Sequence, residues 1–212
     1  MKNSKFMQLM PFLLLAISFT LLSACDNNDD DTTKGKNQNT EEVLTDADTA
    51  ALLFMLEEEK LARDTYTYIN DLWSIDQFAN IKNSEQSHMN AIENQLIKNN
   101  IDYTILPYGA FFNEELQSLY NQFEIDGAIS IDNAYQIGAT IEDLDIVDLQ
   151  DYLDTSSNTT LISIFGKLQC GSRNHLRSFV SGIEAIGSTY TPQYLSQDAY
   201  NIIINGTHES CN

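Results

Sequence analysis

The chain has 212 residues, of which 42% are hydrophobic and 20% charged, so it carries enough apolar side chain for a buried core, and global disorder is excluded. Its 31 acidic residues outnumber its 11 lysines and arginines. The resulting net charge of −20 argues against nucleic-acid binding and against a helix that docks on anionic lipid through basic residues. Three cysteines and three prolines also argue against a small disulfide-rich protein.

The N-terminal residues resemble a bacterial lipoprotein signal peptide. A positively charged start is followed by an apolar run over residues 10–22, which is short for a membrane span and typical of a signal peptide. The run leads into LSAC at residues 22–25, which is similar to the lipobox, whose cysteine is lipidated after cleavage in front of it. We expect residues 1–24 to be removed and Cys25 to anchor the protein outside the cytoplasm, in the bacterial membrane. An ordinary secretory signal that contains a cysteine is the alternative.

A polar segment follows this cysteine. Residues 26–42 are rich in Asp, Asn, Thr and Lys and contain no large apolar side chain, which is typical of a flexible tether. We expect the lipidated cysteine and tether to cover residues 25–47. The acid cluster at its start resembles the export signals of Bacteroidetes-type surface lipoproteins, which favours the outer membrane or the cell surface. A solvated spacer explains the cluster equally well.

From residue 43 onward, apolar residues recur with the 3.6-residue period of helices, and no alternating strand pattern is longer than a few residues. The predicted helices cover residues 48–72, 80–99, 113–123, 130–153, 158–186 and 196–204. Four are long, so the sequence predicts an all-α fold, a four-helix bundle with one or two additional short helices over residues 48–205. Residues 206–212 form a C-terminal tail.

Each long helix interrupts its apolar stripe with residue types that bind metals. Glu85 and His88 are spaced i, i+3, so both side chains leave one face of the second helix. The complete set is Glu59, Glu85, His88, Glu142, Asp145 and His175. Four carboxylates buried without partners would each cost several kcal/mol, and two divalent cations would neutralise them. Oxygen ligands with one or two imidazoles favour iron or manganese.

Neighbouring charges leave some assignments open. Either Glu58 or Glu59 is the inward residue of its acidic run, or the run is an ordinary solvated face. All three arginines lie within four residues of a candidate ligand. We expect Arg63 and Arg177 to form ion pairs that hold ligand carboxylates, with weak surface salt bridges as the alternative. Arg173 is left unassigned.

Four sequence blocks carry a family resemblance. They are EKLARDTY at 59–66, SEQSHM at 84–89, IEDLD at 141–145 and GSRNHLR at 171–177. Together they resemble a ferritin-like family known as domain of unknown function 2202, over about residues 48–205. More distantly, the chain looks like rubrerythrin and other di-iron carboxylate bundles. Those proteins take ligands from a Glu on the first and third helices and from Glu-x-x-His on the second and fourth.

The resemblance implies a ferritin-like bundle in which five residues match ligand positions, namely Glu59, Glu85, His88, Glu142 and His175. We expect Glu85 and Glu142 to bridge two metals, Glu59 and Asp145 to be terminal ligands, and the two histidines to supply imidazole ligands. The fourth helix departs from the pattern, because Ser172 stands three residues before His175 where a Glu is expected. Asp145 is the candidate replacement; otherwise the site holds one metal, or two with open positions.

Once Cys25 is lipidated, Cys170 and Cys211 are the remaining thiols. In an oxidising compartment an even pair most simply forms a disulfide, with two free thiols as the alternative. The sequence thus predicts a metal-binding lipoprotein with oxidoreductase activity toward O2 or peroxide. The alternative is a non-catalytic acidic helical module that binds a protein partner or cations. The sequence contains no rubredoxin-like module with four cysteine ligands, so a peroxidase cycle would need an outside electron donor.

Overall fold

The computed structural model describes residues 43–211, and the regular secondary structure among them is entirely helical. The helices are α1 (Asp46–Trp73), α2 (Asp76–Lys98), α3 (Glu114–Gly127), α4 (Ile131–Thr155), α5 (Thr159–Ala185) and α6 (Gln197–Ile204). The predicted all-α fold is confirmed. The expected signal peptide, Cys25 and the tether up to residue 42 lie outside the described residues.

Polar side chains explain where most of the helices begin. Thr45 accepts a hydrogen bond from the backbone N–H of Asp48, whose carboxylate accepts from the Thr45 backbone in return. This capping box starts α1 two residues earlier than expected, so residues 46 and 47 belong to the helix and not to the tether. Side-chain caps also precede four other helices, at Asn113, Ser130, Asn158 and Ser196.

Short connections pair the long helices. Two residues link α1 to α2, and Ser74 in the left-handed conformation ends α1. Three residues link α4 to α5. Such connections join antiparallel neighbours, and each pair packs along much of its length. Because α1 also contacts α4 and α2 contacts α5, the four long helices share one interior. The short α3 lies on α1 and α4, and α6 lies on α5.

The interior consists of two apolar clusters with a polar band between them. One cluster is built around Tyr66, Phe78 and Phe179. The other includes Met55 and Phe165. Glu58 and Glu59 of α1 and Glu85 of α2 are buried and lie in sequence between the residues that these helices contribute to the two clusters. Among the described residues, no helix has the length and apolarity needed to cross a membrane.

The C-terminal tail is attached to α5. A disulfide joins Cys170 on α5 to Cys211. The Glu209 carboxylate lies 2.5 Å from Arg173 and 2.6 Å from Arg177. The tail is therefore held against the helix that also carries His175.

Candidate metal centre

The carboxylate of Glu85 lies at the centre of the polar band. Its Oε2 atom is 2.8 Å from Nδ1 of His88, one turn further along α2. Its Oε1 atom is 2.8 Å from Nδ1 of His175 on α5. Glu59 approaches the first histidine from α1, with Oε2 3.1 Å from Nδ1. Glu142 approaches the second from α4, with Oε2 3.5 Å from Nδ1. All four long helices thus contribute to one site.

These residues form two groups that could each bind a metal ion. Glu59, Glu85 and His88 make one group, and Glu85, Glu142 and His175 make the other. In each group one potential ligand atom per residue lies within 4.8 Å of the others. The two imidazole rings stack with their centroids 5.7 Å apart. Glu85 belongs to both groups, so its carboxylate is positioned to bridge two neighbouring ions.

Burial leaves several ligand atoms without hydrogen-bond partners. Glu59, Glu85 and Glu142 are each 2% exposed. Oε1 of Glu59 has no hydrogen-bond partner. Oε1 of Glu85 and Nδ1 of His175 also make no hydrogen bond, but they lie 2.8 Å apart as an ion pair. Buried polar atoms without partners are rare and costly in folded proteins. A bound cation would occupy these lone pairs.

The site has strongly perturbed pKa values. Burial raises the pKa of Glu59 to about 7, against the lowering effect of His88. Burial and the charge of Glu85 raise the pKa of Glu142 to about 7. For Glu85 itself, burial is outweighed by the two histidines, which hold its pKa well below the usual range. Burial lowers the pKa of His175, but Glu85 and Glu142 overcome it and raise that pKa to about 10. Positive charge is therefore favoured where the imidazoles meet the carboxylates.

Tyr66 supports the site from inside the core. Its hydroxyl donates a 2.5 Å hydrogen bond to Oε1 of Glu142 and is also 3.3 Å from the carbonyl oxygen of Gly138. The ring is fully buried against Phe78 and Phe179. This hydrogen bond fixes one oxygen of Glu142 and leaves the other facing His175.

The sequence and the fold match a known family and a solved structure. A family model described as an uncharacterized protein domain, DUF2202, matches residues 48–207. The chain belongs to this family. Uncharacterized protein MJ0754 from Methanocaldococcus jannaschii is 39% identical over 168 residues, which are 78% of this chain and 91% of that protein. The crystal structure of hypothetical protein MJ0754 from Methanococcus jannaschii matches with a TM-score of 0.78 and 38% identity, over 82% of this chain and 100% of that one.

In this DUF2202 domain, Asp145 lies beside the two histidine groups and belongs to neither. The Ser172 hydroxyl donates a hydrogen bond to Oδ2 of Asp145, while Oδ1 has no partner. Burial, together with the charges of Glu59 and Glu142, raises the Asp145 pKa well above its usual value. Asp145 was expected to replace the glutamate that is missing at position 172. It contacts Ser172, but its carboxylate belongs to neither group.

Glu58 and Glu59 both face the interior, with 1% and 2% exposure, so the expectation of a single inward residue is wrong. Glu59 points to His88, whereas neither carboxylate oxygen of Glu58 has a hydrogen-bond partner. Adjacent helical residues project about 100° apart, so burial of both requires a neighbour on each side. Here α2 covers one face of α1 and α4 covers another.

The arginines do not hold the candidate ligands. Arg63 pairs with Asp64 at 2.6 Å and donates to Gln86 at 2.8 Å, next to Glu85 in the chain. Arg177 binds the Glu209 carboxylate and donates to the backbone oxygen of Ile203. The structure therefore corrects the expectation for both residues. Arg63 links α1 to α2, and Arg177 holds the C-terminal tail.

Sequence reasoning overlooked Gly171 on α5. A Cβ atom at this position would lie 2.8 Å from both Cε1 and Nε2 of His88, closer than side chains pack. The glycine therefore makes room for the imidazole ring. A glycine inside a long helix was the available signal, since glycine is unfavourable there without a packing reason.

A groove of about 700 Å³ leads from solvent to the two histidines. It runs between α2 and α5, and its lining includes His88, His175, Gly171 and the tail residues His208 and Cys211. The imidazoles are 13% and 12% exposed, so they form the solvent-facing side of the site, while the carboxylates lie beneath them.

Proposed function

We propose that this chain is a ferritin-like metalloprotein that holds two divalent ions, iron or manganese, and reacts with O2 or peroxide. The observation that carries the proposal is the Glu85 carboxylate, shared by two groups that each contain a second carboxylate and an imidazole. The two antiparallel helix pairs, with ligands drawn from all four long helices, support a ferritin-like arrangement.

The residues present fit two such ions. Glu59, Glu85, Glu142 and Asp145 are buried in or beside the site, and two divalent cations would balance their four negative charges. Carboxylate oxygens with imidazole nitrogens are a ligand set that suits iron and manganese. Oε1 of Glu59, which has no hydrogen-bond donor, would gain a partner. Binding to the native state alone would also stabilise the fold.

Each part of the site has a distinct task in this proposal. Glu59 with His88 would hold one ion, Glu142 with His175 the other, and Glu85 both. When bound, iron or manganese supplies redox chemistry and coordination positions that the protein leaves open. Tyr66 keeps Glu142 oriented. The groove over the two imidazoles is large enough to admit a small oxidant such as O2 or peroxide.

Elemental analysis of protein purified without chelator tests this proposal. We expect about two iron or manganese ions per wild-type chain and less than about 0.2 in Glu85→Gln, because that variant removes the shared ligand. Glu93→Gln on the same helix is the matched control and should keep the wild-type content. A metal-free wild type that gains no thermal stability from added Fe(II) or Mn(II) would contradict the proposal and favour a non-catalytic acidic module.

We also propose that the protein is an extracytoplasmic lipoprotein anchored at Cys25, with the domain carried outside the cytoplasm. The lipobox-like sequence at residues 22–25 supports this. Cys25→Ser should abolish incorporation of radiolabelled palmitate and shift the protein out of the membrane fraction. Cys170→Ser should leave labelling unchanged. Equal labelling of the wild type and Cys25→Ser would refute the anchor.

A further inference from the structure

The groove above the two histidines is much larger than O2 or hydrogen peroxide. Its volume of about 700 Å³ is typical of sites that bind drug-sized molecules. A water molecule takes up only about 30 Å³ in the liquid, and each of the two oxidants contains just two heavy atoms. The groove therefore has room for a substrate with a larger organic body.

One end of the groove is apolar. Short connections make α1 antiparallel to α2 and α4 antiparallel to α5, and Gly171 on α5 faces His88 on α2. The end of α1 at Asp46 is close to the start of α5, since the Ser156 hydroxyl donates to the Asp48 carboxylate. Helices α2 and α5 therefore run in opposite directions.

In this arrangement Ala91, one turn after His88, is level with Leu168, one turn before Gly171. Both residues line the groove, as does Ile164 one turn further along the same face of α5. We call Ala91, Ile164 and Leu168 the apolar end of the groove. The polar lining residues Ser84 and Asn174 lie on the opposite side of the histidines in sequence.

Lys167 supplies positive charge beside the apolar end. It is exposed, lines the groove and forms no ion pair with the residues that the structure describes. Glu209, which also lines the groove, is already paired with Arg173 and Arg177. In a chain with a net charge of −20, an unpaired lysine is a local site of attraction for an anionic ligand. It lies eight residues before His175, which is about 12 Å along the helix.

We propose that this groove binds a fatty-acid hydroperoxide and that the two-metal centre reduces it, an inference that rests on the function proposed above. The carboxylate of the substrate pairs with Lys167, its hydrocarbon chain lies on the apolar end, and its hydroperoxide group reaches His88 and His175. Such a molecule combines the peroxide group that suits the centre with the apolar body and the negative charge that suit the rest of the groove.

The reaction balances with the two ions of the proposed centre. The O–O bond of the hydroperoxide breaks and takes up two electrons, one from each divalent ion, and both ions become trivalent. Two protons from solvent in the groove complete a hydroxy fatty acid and a water molecule. A single turnover therefore needs no further reductant, and repeated turnover needs an outside one-electron donor.

Binding of a fatty acid that carries no hydroperoxide tests the groove independently of any chemistry. We expect the fluorescent fatty acid cis-parinaric acid to bind the wild-type protein saturably, with one molecule per chain. Lys167→Gln should weaken this binding about tenfold or more, because the charge-assisted hydrogen bond to the carboxylate is lost. Lys82→Gln removes the same charge outside the groove and is the matched control, with wild-type affinity expected.

A second variant tests the apolar end. Ala91→Phe should weaken binding about tenfold or more, because the larger side chain occupies the space of the hydrocarbon chain. Asn90→Phe, at the neighbouring exposed position, is its control and should bind as the wild type does. Lys167 is exposed, so its substitution leaves the fold intact even if Ala91→Phe lowers the unfolding temperature. No saturable binding by the wild type, or equal binding by the wild type and both groove variants, would overturn the proposal.

Single-turnover oxidation of Fe(II)-loaded protein without O2 links the groove to the reaction. Linoleic acid hydroperoxide should oxidise the wild-type iron about tenfold faster than hydrogen peroxide at equal low concentration, and Ala91→Phe should lose this preference. Iron oxidation by hydrogen peroxide without any fatty-acid binding would overturn only this inference. Fatty-acid binding by a chain that takes up neither iron nor manganese would contradict the two-metal centre and the reduction step, but not the binding step.

Discussion

Two neighbouring residues on α4, Glu142 and Asp143, are both buried and serve different ends. The Asp143 carboxylate accepts hydrogen bonds from the Tyr190 hydroxyl at 2.8 Å and from the backbone N–H groups of Gln193 at 2.5 Å and Leu195 at 2.7 Å. Glu142 instead meets Tyr66 and faces His175 across 3.5 Å. One carboxylate holds a loop, and the other belongs to a group that could bind a metal.

The same contrast holds on α1 between Asp64 and Glu59. Asp64 is fully buried but pairs with Lys60 and Arg63, each at 2.6 Å, and accepts from the Gly109 backbone at 3.0 Å. Lys60 in turn donates to the carbonyl oxygen of Pro107. Glu59 has an oxygen without any donor. Burial alone therefore does not identify a metal ligand; the decisive feature is whether the protein itself supplies the partner.

The largest expected effect concerns a buried carboxylate that the protein itself pairs with positive charge. Asp64→Asn leaves the buried Lys60 ammonium without a counter-charge, so we expect a loss of about 3 to 5 kcal/mol in the free energy of unfolding, measured with urea. Asp71→Asn, at an exposed position on the same helix, should change it by less than about 0.5 kcal/mol. A similarly small loss of unfolding free energy in both variants would contradict the distinction between buried carboxylates that the protein pairs and those that it leaves unpaired.

The next prediction separates the two histidine groups. Glu59 belongs to one group and Glu85 to both. Glu59→Gln should therefore keep about one tightly bound ion per chain, and Glu85→Gln none, because each ion needs its own charged ligands. Elemental analysis after gel filtration measures this. Equal metal content in the two variants would show that Glu85 is not shared.

A smaller effect is expected at Gly171. In Gly171→Ala the added methyl group would displace the His88 ring, and metal affinity should fall about 10- to 100-fold, as when the support of a ligand is lost. Gly166→Ala on the same helix is the matched control, because nothing lies within 4 Å of the added atom. It should bind metal normally and gain up to about 1 kcal/mol of stability. Equal metal affinities in Gly171→Ala and the wild type would mean that metal binding does not depend on the position of the His88 ring.

The smallest effect concerns pH and the C-terminal tail. Hydrogen bonds from Arg173 lower the pKa of Glu209 from 4.5 to about 2, and Arg177 adds to the shift. A lowered pKa stabilises the folded tail above pH 4.5, and this contribution is lost as the pH falls from 4.5 toward 2. The protection of the amides of residues 206–211, meaning their exchange rates corrected for the intrinsic pH dependence of exchange, should therefore fall over that range in wild type, with a much smaller change in Glu209→Gln. An identical loss of protection in both proteins would exclude Glu209 as the cause.

Much of the fold followed from the sequence, because the apolar period persists through each helix. The largest differences are at two ends: α2 begins at Asp76 and not at residue 80, and α3 extends to Gly127 and not to residue 123. Ile75, which precedes α2, makes no side-chain cap, so no polar signal marks that start. Position along a helix also placed Glu59, Glu85, His88, Glu142 and His175 on inward faces.

Other features depend on contacts that helical spacing cannot reveal. Asp143 is satisfied by residues about fifty positions further along the chain. Arg177 contacts Glu209, beyond the last helix, and Arg63 contacts Gln86 on α2. Burial of Glu58 depends on how closely α4 approaches α1. In each case the surroundings of the charged side chain depend on tertiary packing. The local sequence is equally compatible with a solvated and with a buried side chain.

Anomalous diffraction from crystals of manganese-loaded protein tests the two-metal centre most directly. We predict two anomalous peaks per chain, one bounded by Glu59, Glu85 and His88 and the other by Glu85, Glu142 and His175. Manganese bound only at surface acids, with no peak beside Glu85, would contradict the account.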